Sequence, residues 1–511
     1  MTAKLLTNTV AAPGFLGLNT QESSVSLESG FATIAENCVI DKFGRVGARK
    51  GWLPKHSTLA ALGTADVKSI GQLITEDGTA YTVAAGNNKL FKLVGSTLSE
   101  LTYGGGGVAP TISDSHWQMC SLNNILYLYQ SGHDPLIFDP TVSAVTYRRV
   151  SEKSGYVATV QSSACAISAY GRIWSAATAT DKSLIQFSDL LLGYVLSTGS
   201  SGTLDLTQIW PAGPDEITAL AAHNGFLIVF GKRQILIYSN PQDPAAMSLQ
   251  DAITGVGCIA RDSVVNTGTD VIFLSDTGVR SLMRVIQEKS APMRDLSSNI
   301  RDDLVGTISG SVAANIKAVY SEKEAFYLLS FSDSSLTYCF DMRTMLQNGA
   351  ARTTSWGLSP KSFCYTQDKE LLMGFAGYIG YHVGYLDNTS TYNMKYFTNY
   401  FDFSAPTAIK ILKKVGVVIV GGEGYSMSLS IGYDFTDNFT YRSFSIPAGV
   451  PSEYGVAEYG IAEFTPSSLN SLSVNVGGQG KVIQLGLETV VNTNAISIQK
   501  LDIYVKTGKT A

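Results

Sequence analysis

The residue types that could do chemistry are present in this chain, but their spacing assembles no reactive centre. Gly104 to Gly107 is a glycine run without the Gly-Lys-Ser/Thr that lets a loop cradle phosphate, and it reads as a flexible turn. Gly306-Thr307-Ile308-Ser309-Gly310 places its serine one position away from the spacing of a nucleophile elbow. The five histidines, His56, His116, His133, His223 and His382, are dispersed without metal-ligand spacing. Ser275-Asp276-Thr277-Gly278 is similar to half of the Asp-box of sialidase propellers, lacks its Thr-Trp ending and does not recur. A glycosidase would also need two facing carboxylates. Asp302 and Asp303 fit a solvated helix surface. Lys410, Lys413 and Lys414 could touch phosphate, although lysines on an edge strand more often keep that edge soluble. These residues give no catalytic, cofactor or metal site, and the expectation is a protein that is not an enzyme.

The elements that would position any site follow a repeat. Ile125 to Tyr129 with Leu136 to Asp139, Phe226 to Phe230 with Ile235 to Asn240, and Phe326 to Leu329 with Tyr338 to Asp341 each pair two apolar strands across a polar turn. Weaker copies lie near Tyr81, Ile173, Val271 and Leu371. Anchors at Tyr81, Leu126, Ile173, Leu227, Ile272, Tyr327 and Leu372 give spacings of 45, 47, 54, 45, 55 and 45 residues. Multi-stranded units repeating at ~40 to 50 residues mark propeller blades. The strands are apolar on consecutive residues, so both faces must be covered, as they are when one blade stacks on the next. The long spacings are explained by an exposed loop at Leu190 to Ile209 and a surface helix over Pro292 to Val305, where Met293, Leu296, Ile300 and Leu304 fall at helical spacing.

Two flanking regions break the pattern. Residues 1–70 are polar and glycine-punctuated and read as an extended arm able to pair with the last blade, a neighbouring subunit, or both. Residues 71–394 form the propeller, of about seven blades. In residues 395–511, Met427, Leu429, Ile431 and Tyr433 alternate with Ser426, Ser428 and Ser430, the pattern of half-buried antiparallel strands. Further strands at Ile409 to Val420, Tyr441 to Ile446, Val482 to Leu487 and Ile496 to Val505 make this a β-sandwich-like domain, with a bulge at Gln499-Lys500. The fold class is all-β. Tyr454, Tyr459 and Phe464, in a twice-repeated five-residue phrase, either tuck onto the sandwich or face another subunit.

The composition narrows the class. With 45% hydrophobic and 15% charged residues, 49 Gly and 25 Tyr, the chain is folded and turn-rich. A net charge of −5 argues against a surface built to grip nucleic acid. No run approaches the ~20 apolar residues of a membrane helix, and residues 1–18 make a poor signal peptide. The six cysteines form no Cys-x-x-Cys pair and several fall in strands, which favours cytoplasmic synthesis without disulfides.

Three stretches resemble a known family. They are the Gly17-Leu18-Asn19 arm running through Asn37 to Gly44-Arg45, Arg49 and Gly51-Trp52; Asn224 to Gly231 with Ile235 to Tyr238, Gly255 to Cys258 and Val271 to Ser275; and the closing strand Ile498 to Lys506. In this order they resemble the tail hub, or nozzle, proteins of short-tailed bacteriophages, also called packaged-DNA stabilisation proteins. The resemblance implies a structural virion protein, assembled in the host cytoplasm. It implies a homohexameric ring that joins the portal through an adaptor, docks tailspikes or fibres, and lets double-stranded DNA pass without sequence-specific binding. Gly17, Asn19, Arg45, Arg49, Trp52, Tyr454, Tyr459 and Phe464 are the candidate partner contacts. The alternative is a tail propeller that binds or cleaves a receptor glycan.

Overall fold

The computed structural model describes residues 5–113, 116–157, 162–288, 295–436, 438–447 and 469–510. Seven antiparallel blades follow one another along the chain, and a parallel pairing of Thr102 and Tyr103 with Thr146 and Tyr147 joins the first two into one eight-stranded sheet. Blade 1 comprises Val67–Ile74, Ala80–Gly86, Lys89–Val94 and Thr97–Tyr103. Blades 2, 3 and 4 begin at Gln118–Leu122, Ser163–Ala169 and Ile217–His223, and each has four strands. Blade 5, opening at Val265–Asn266, has three strands, and the helix Leu282–Glu288 packs against two of them. Blade 6 runs from Ile316–Ser321 to Ala351–Trp356. Blade 7 takes Ser362–Tyr365, Leu371–Phe375 and Tyr378–His382 from its own stretch of chain and its fourth strand, Trp52–Pro54, from far upstream. The first strand of each blade packs against the first strand of the next, and that of blade 7 against that of blade 1, so the circle closes. The fold is a seven-bladed β-propeller.

Seven apolar clusters fill the seven gaps between successive blades, which is why the strands are apolar on both faces. Phe230 of blade 4 meets Phe273 of blade 5 at 4.9 Å between ring centroids. The Phe326–Phe331 strand of blade 6 is buried along its whole length. Each such side chain contributes about 1.5–3 kcal/mol on burial.

The remaining strands form a two-layer sandwich. One layer orders Phe31–Glu36, Tyr392–Thr398, Ile483–Val491, Ser426–Tyr433 and Thr440–Ser445. The other orders Leu469–Asn475, Ala408–Gly421, Ile496–Thr510, Val46–Ala48 and Cys38–Ile40, and Leu5–Ala11 also pairs with Ile496–Thr510. Leu429, Leu485, Val415 and Ile503 share a core that continues into Tyr327 and Phe340 of blade 6. Ser355 at the rim of blade 6 pairs with Glu36, so the blade's sheet runs on into the sandwich. The pairing of Val418 with Lys500 and of Ile419 with Ile498 leaves Gln499 as the bulged residue, where the apolar phase breaks.

Several expectations are corrected. The first seventy residues do pair with the last blade, through Trp52–Pro54 on Tyr378–His382, but Leu5 to Ala48 also supplies strands to the sandwich, a partner the sequence did not suggest. The Leu190 to Ile209 stretch is not loop throughout, because Gly202–Asp205 pairs as the outer strand of blade 3. The described helix near Leu304 spans Arg301–Ser309, later than the apolar spacing suggests, with a single 3-10 turn before it. Lys410 to Lys414 does not lie on an edge, since Ala408–Gly421 is paired on both sides.

Candidate functional site

Arg49 is the best-connected of the candidate residues. Its Nη1 and Nη2 donate to the two carboxylate oxygens of Asp387 at 2.9 and 2.6 Å, a bidentate fork. Its Nε donates to Asn37 Oδ1 at 2.9 Å, and Nη1 also reaches the Lys50 carbonyl. The guanidinium lies 4.1 Å from the centre of the Tyr392 ring, on the side chain whose hydroxyl donates to the Arg49 carbonyl. Asn37 in turn holds Asn393 and Gly357, and Trp356 Nε1 donates to the Cys38 carbonyl. Three residues on, Trp52 stacks on Phe375 at 4.0 Å. Backbone bonds from Gly51 and Trp52 to Gly384 and Leu386 lace the segment to the connection between blade 7 and the sandwich. This seam joins the N-terminal strands, blades 6 and 7, and the sandwich.

The other candidate positions fall around it. Gly17 has φ +85°, and a Cβ there would lie 2.7 Å from the Thr353 carbonyl oxygen. Asn19 is buried, and its side-chain oxygen accepts from the Gln21 amide. Gly17, Asn19, Arg49 and Trp52 are therefore interior to the subunit, packed against its own strands. Arg45 is half-buried in a surface turn, paired with Asp41 at 2.6 Å and stacked over the exposed Phe43. Tyr454, Tyr459 and Phe464 lie outside the described residues.

A second cluster, which no sequence motif marked, sits where the innermost strands converge. Arg261, just before blade 5, reaches across to the carbonyls of Ala164 in blade 3 and His116 beside blade 2, and its guanidinium grips Asp262. Asp262 also accepts from Lys317 of blade 6. Burial alone would raise the Asp262 pKa, but Arg261 and Lys317 outweigh it and hold the carboxyl well below the usual range. Burial, aided by Lys317, Lys68 and Arg261 and opposed by Asp262, depresses His116 to about 4. Asp262 is thus a locked anion and His116 a neutral ring, neither poised for proton transfer near neutrality.

A third feature is a cleft of about 160 Å³ between blades 6 and 7, lined in part by Lys50, Glu324, Glu370 and His382. Its carboxylates are engaged, Glu324 with Lys50 and Glu370 with Lys55. Among the described residues, no group of three or more His, Cys, Asp or Glu is placed to hold a metal. No helix among them is long and apolar enough to cross a membrane.

No family model matches the chain, and no curated protein matches it. Solved structures that match include PorZ, a surface component of the type-IX secretion system of Porphyromonas gingivalis, at 13% identity and TM-score 0.35, covering 64% of this chain and 37% of that one. The Pan2 WD40 domain of Neurospora crassa matches at 8% identity and TM-score 0.38, covering 67% of this chain and 98% of that domain. The extracellular domain of a putative one-component system of B. thetaiotaomicron matches at 10% identity and TM-score 0.41, covering 88% and 62%. This chain spans well under two thirds of the first of these. The blade count rests on this chain's own strand pairing.

Proposed function

We propose that the chain is a structural, non-enzymatic building block of a ring-shaped assembly, the tail hub of a short-tailed phage. The ring continues a DNA channel, retains packaged DNA and guides its ejection, and docks adaptor and tailspike or fibre proteins. The observation that carries this reading is the seam at Arg49. The arm residues on which the family resemblance rests, Gly17, Asn19, Arg49 and Trp52, weld propeller to sandwich through shared strands and a common core. Two units joined by shared strands and a common core suit a wall that must hold its shape under load.

Any passage for DNA would lie between copies, because Arg261 bridges the centre of the propeller. The glycan-cleaving alternative needs two facing carboxylates, whereas the central cluster, among the described residues, has Asp262 already bound by two cations. The test is mass measurement and electron microscopy of the purified chain, alone and mixed with a candidate adaptor protein. A sixfold ring with an open centre is expected. A chain that stays monomeric at high concentration and in the adaptor's presence would overturn the reading.

A further inference from the structure

The lysines at 413 and 414 need an explanation other than edge protection, since their strand is paired on both sides. The pairing places Lys414 opposite Tyr504 and Val418 opposite Lys500, so Lys414, Tyr504, Lys500 and, two residues beyond Tyr504, Lys506 point to the same side of the sheet. This is the side away from the core, because the alternate residues Val415, Leu501, Ile503 and Val505 are buried in it. Lys413 is the unpaired residue of a bulge beside Lys414, and Lys413, Lys414 and Lys506 are all exposed. The Lys414 ammonium rests 5.8 Å from the centre of the Tyr504 ring.

The one carboxylate among these paired positions, Asp502, is occupied by Lys500 at 2.8 Å and by the Thr9 hydroxyl at 2.5 Å. The flanking strands add hydroxyl and amide groups on the same side, Thr7 opposite Tyr504, and Ser471, Ser473 and Asn475 opposite Val418, Gly416 and Lys414. Four lysines against one carboxylate make a cationic face of net charge about +3 on a chain whose total is −5. Lysine, tyrosine, hydroxyl and amide donors are the groups that bond phosphate oxygens, and contacts to phosphate carry no sequence information.

We propose that this outer face of the sandwich grips the sugar-phosphate backbone of duplex DNA without sequence preference. It rests on the ring reading only for the choice of a duplex over other polyanions. Few phosphates are engaged, so the grip is weak and salt-sensitive, of the kind that holds a duplex and still lets it slide.

The test uses the full chain and a fluorescent duplex of random sequence, with anisotropy read from low to physiological salt. Charge reversal by Lys414→Glu with Lys506→Glu is expected to weaken low-salt binding at least ~30-fold and to lower the salt slope by about 2. Lys232→Glu, at an exposed pair on blade 4, is expected to leave both unchanged. Unaltered thermal melting of the double variant excludes misfolding. The proposal is overturned by equal binding of wild type and a folded double variant, by no wild-type binding at low salt, or by binding confined to vesicles containing phosphatidylglycerol. Ring mass, measured on the same double variant with the adaptor, keeps the two readings apart. A ring that forms while duplex binding is lost supports both, and a missing wild-type ring sinks the hub reading without touching the face.

Discussion

The guanidinium of Arg49 and the carboxylate of Asp387, 338 residues apart in sequence, meet in a two-pronged ion pair with Arg49 only 1% exposed. Removing one partner of such a pair leaves the other desolvated and alone. Arg49→Met should cost about 3 kcal/mol of unfolding free energy by urea titration, and Arg49→Met with Asp387→Leu should recover part of it. If the single variant unfolds at the wild-type midpoint, the seam carries no stability.

Trp52 closes the propeller. Trp52→Ala removes the ring stacked on Phe375 and should destabilise the protein by about 3–5 kcal/mol. Hydrogen exchange checks the location: amides of Tyr378–His382, which pair with Trp52–Pro54, should lose protection before those of blade 3. Uniform loss across all blades would contradict a local closure.

Gly17 permits a close passage of backbone. Gly17→Ala forces a Cβ against Thr353 at a left-handed φ and should cost about 1–3 kcal/mol, read as a lowered Tm. An unchanged melting temperature would mean that the strand can shift freely.

Acid should weaken the fold through histidine. Burial first, helped by nearby cations, depresses His116 and His382 to about 4 in the folded state; His382 faces Lys50, Arg49 and, opposing the shift, Glu324. An unfolded imidazole titrates near ~6.5. The unfolded chain therefore binds more protons between these values, so the stability from the neutral rings is complete above ~6.5 and falls as the pH drops toward 4. Urea midpoints from pH 7 to 4 should decline, and His116→Gln with His382→Gln should flatten the decline. An identical slope in that variant would assign the effect elsewhere. Asp262 contributes little in this window, because its stabilisation starts to fall only near pH ~5, as the unfolded carboxyl (near ~3.9) takes up protons, and most of the loss comes at lower pH.

All seven repeat anchors, from Tyr81 to Leu372, sit in the second strand of a blade, where apolar side chains meet neighbours on both sides. That double burial wrote a readable signal. The innermost strands left almost none: Ser163–Ala169 is built of small residues apart from Ile167, and Val265–Asn266 is two residues long. The Arg49 seam was half legible. Arg49 and Trp52 stood out by type, but their partners Asp387 and Phe375 lie hundreds of residues downstream, and local periodicity carries no record of such pairings. Arg261 and Asp262 gave no motif, because their cluster is assembled from five blades.

The strand donated by Trp52–Pro54 leaves the ribosome about 300 residues before the blade that receives it, which at ~5–20 residues per second is a wait of roughly 15–60 s. Leu5–Ala11 waits longer still for its mate at Ile496–Thr510. Trp52–Pro54 stays an unpaired edge until Tyr378–His382 is made, roughly three quarters of the way through translation, and Leu5–Ala11 until it is nearly done, so chaperone attendance in that interval bears, alongside final stability, on how much correctly closed protein a cell obtains.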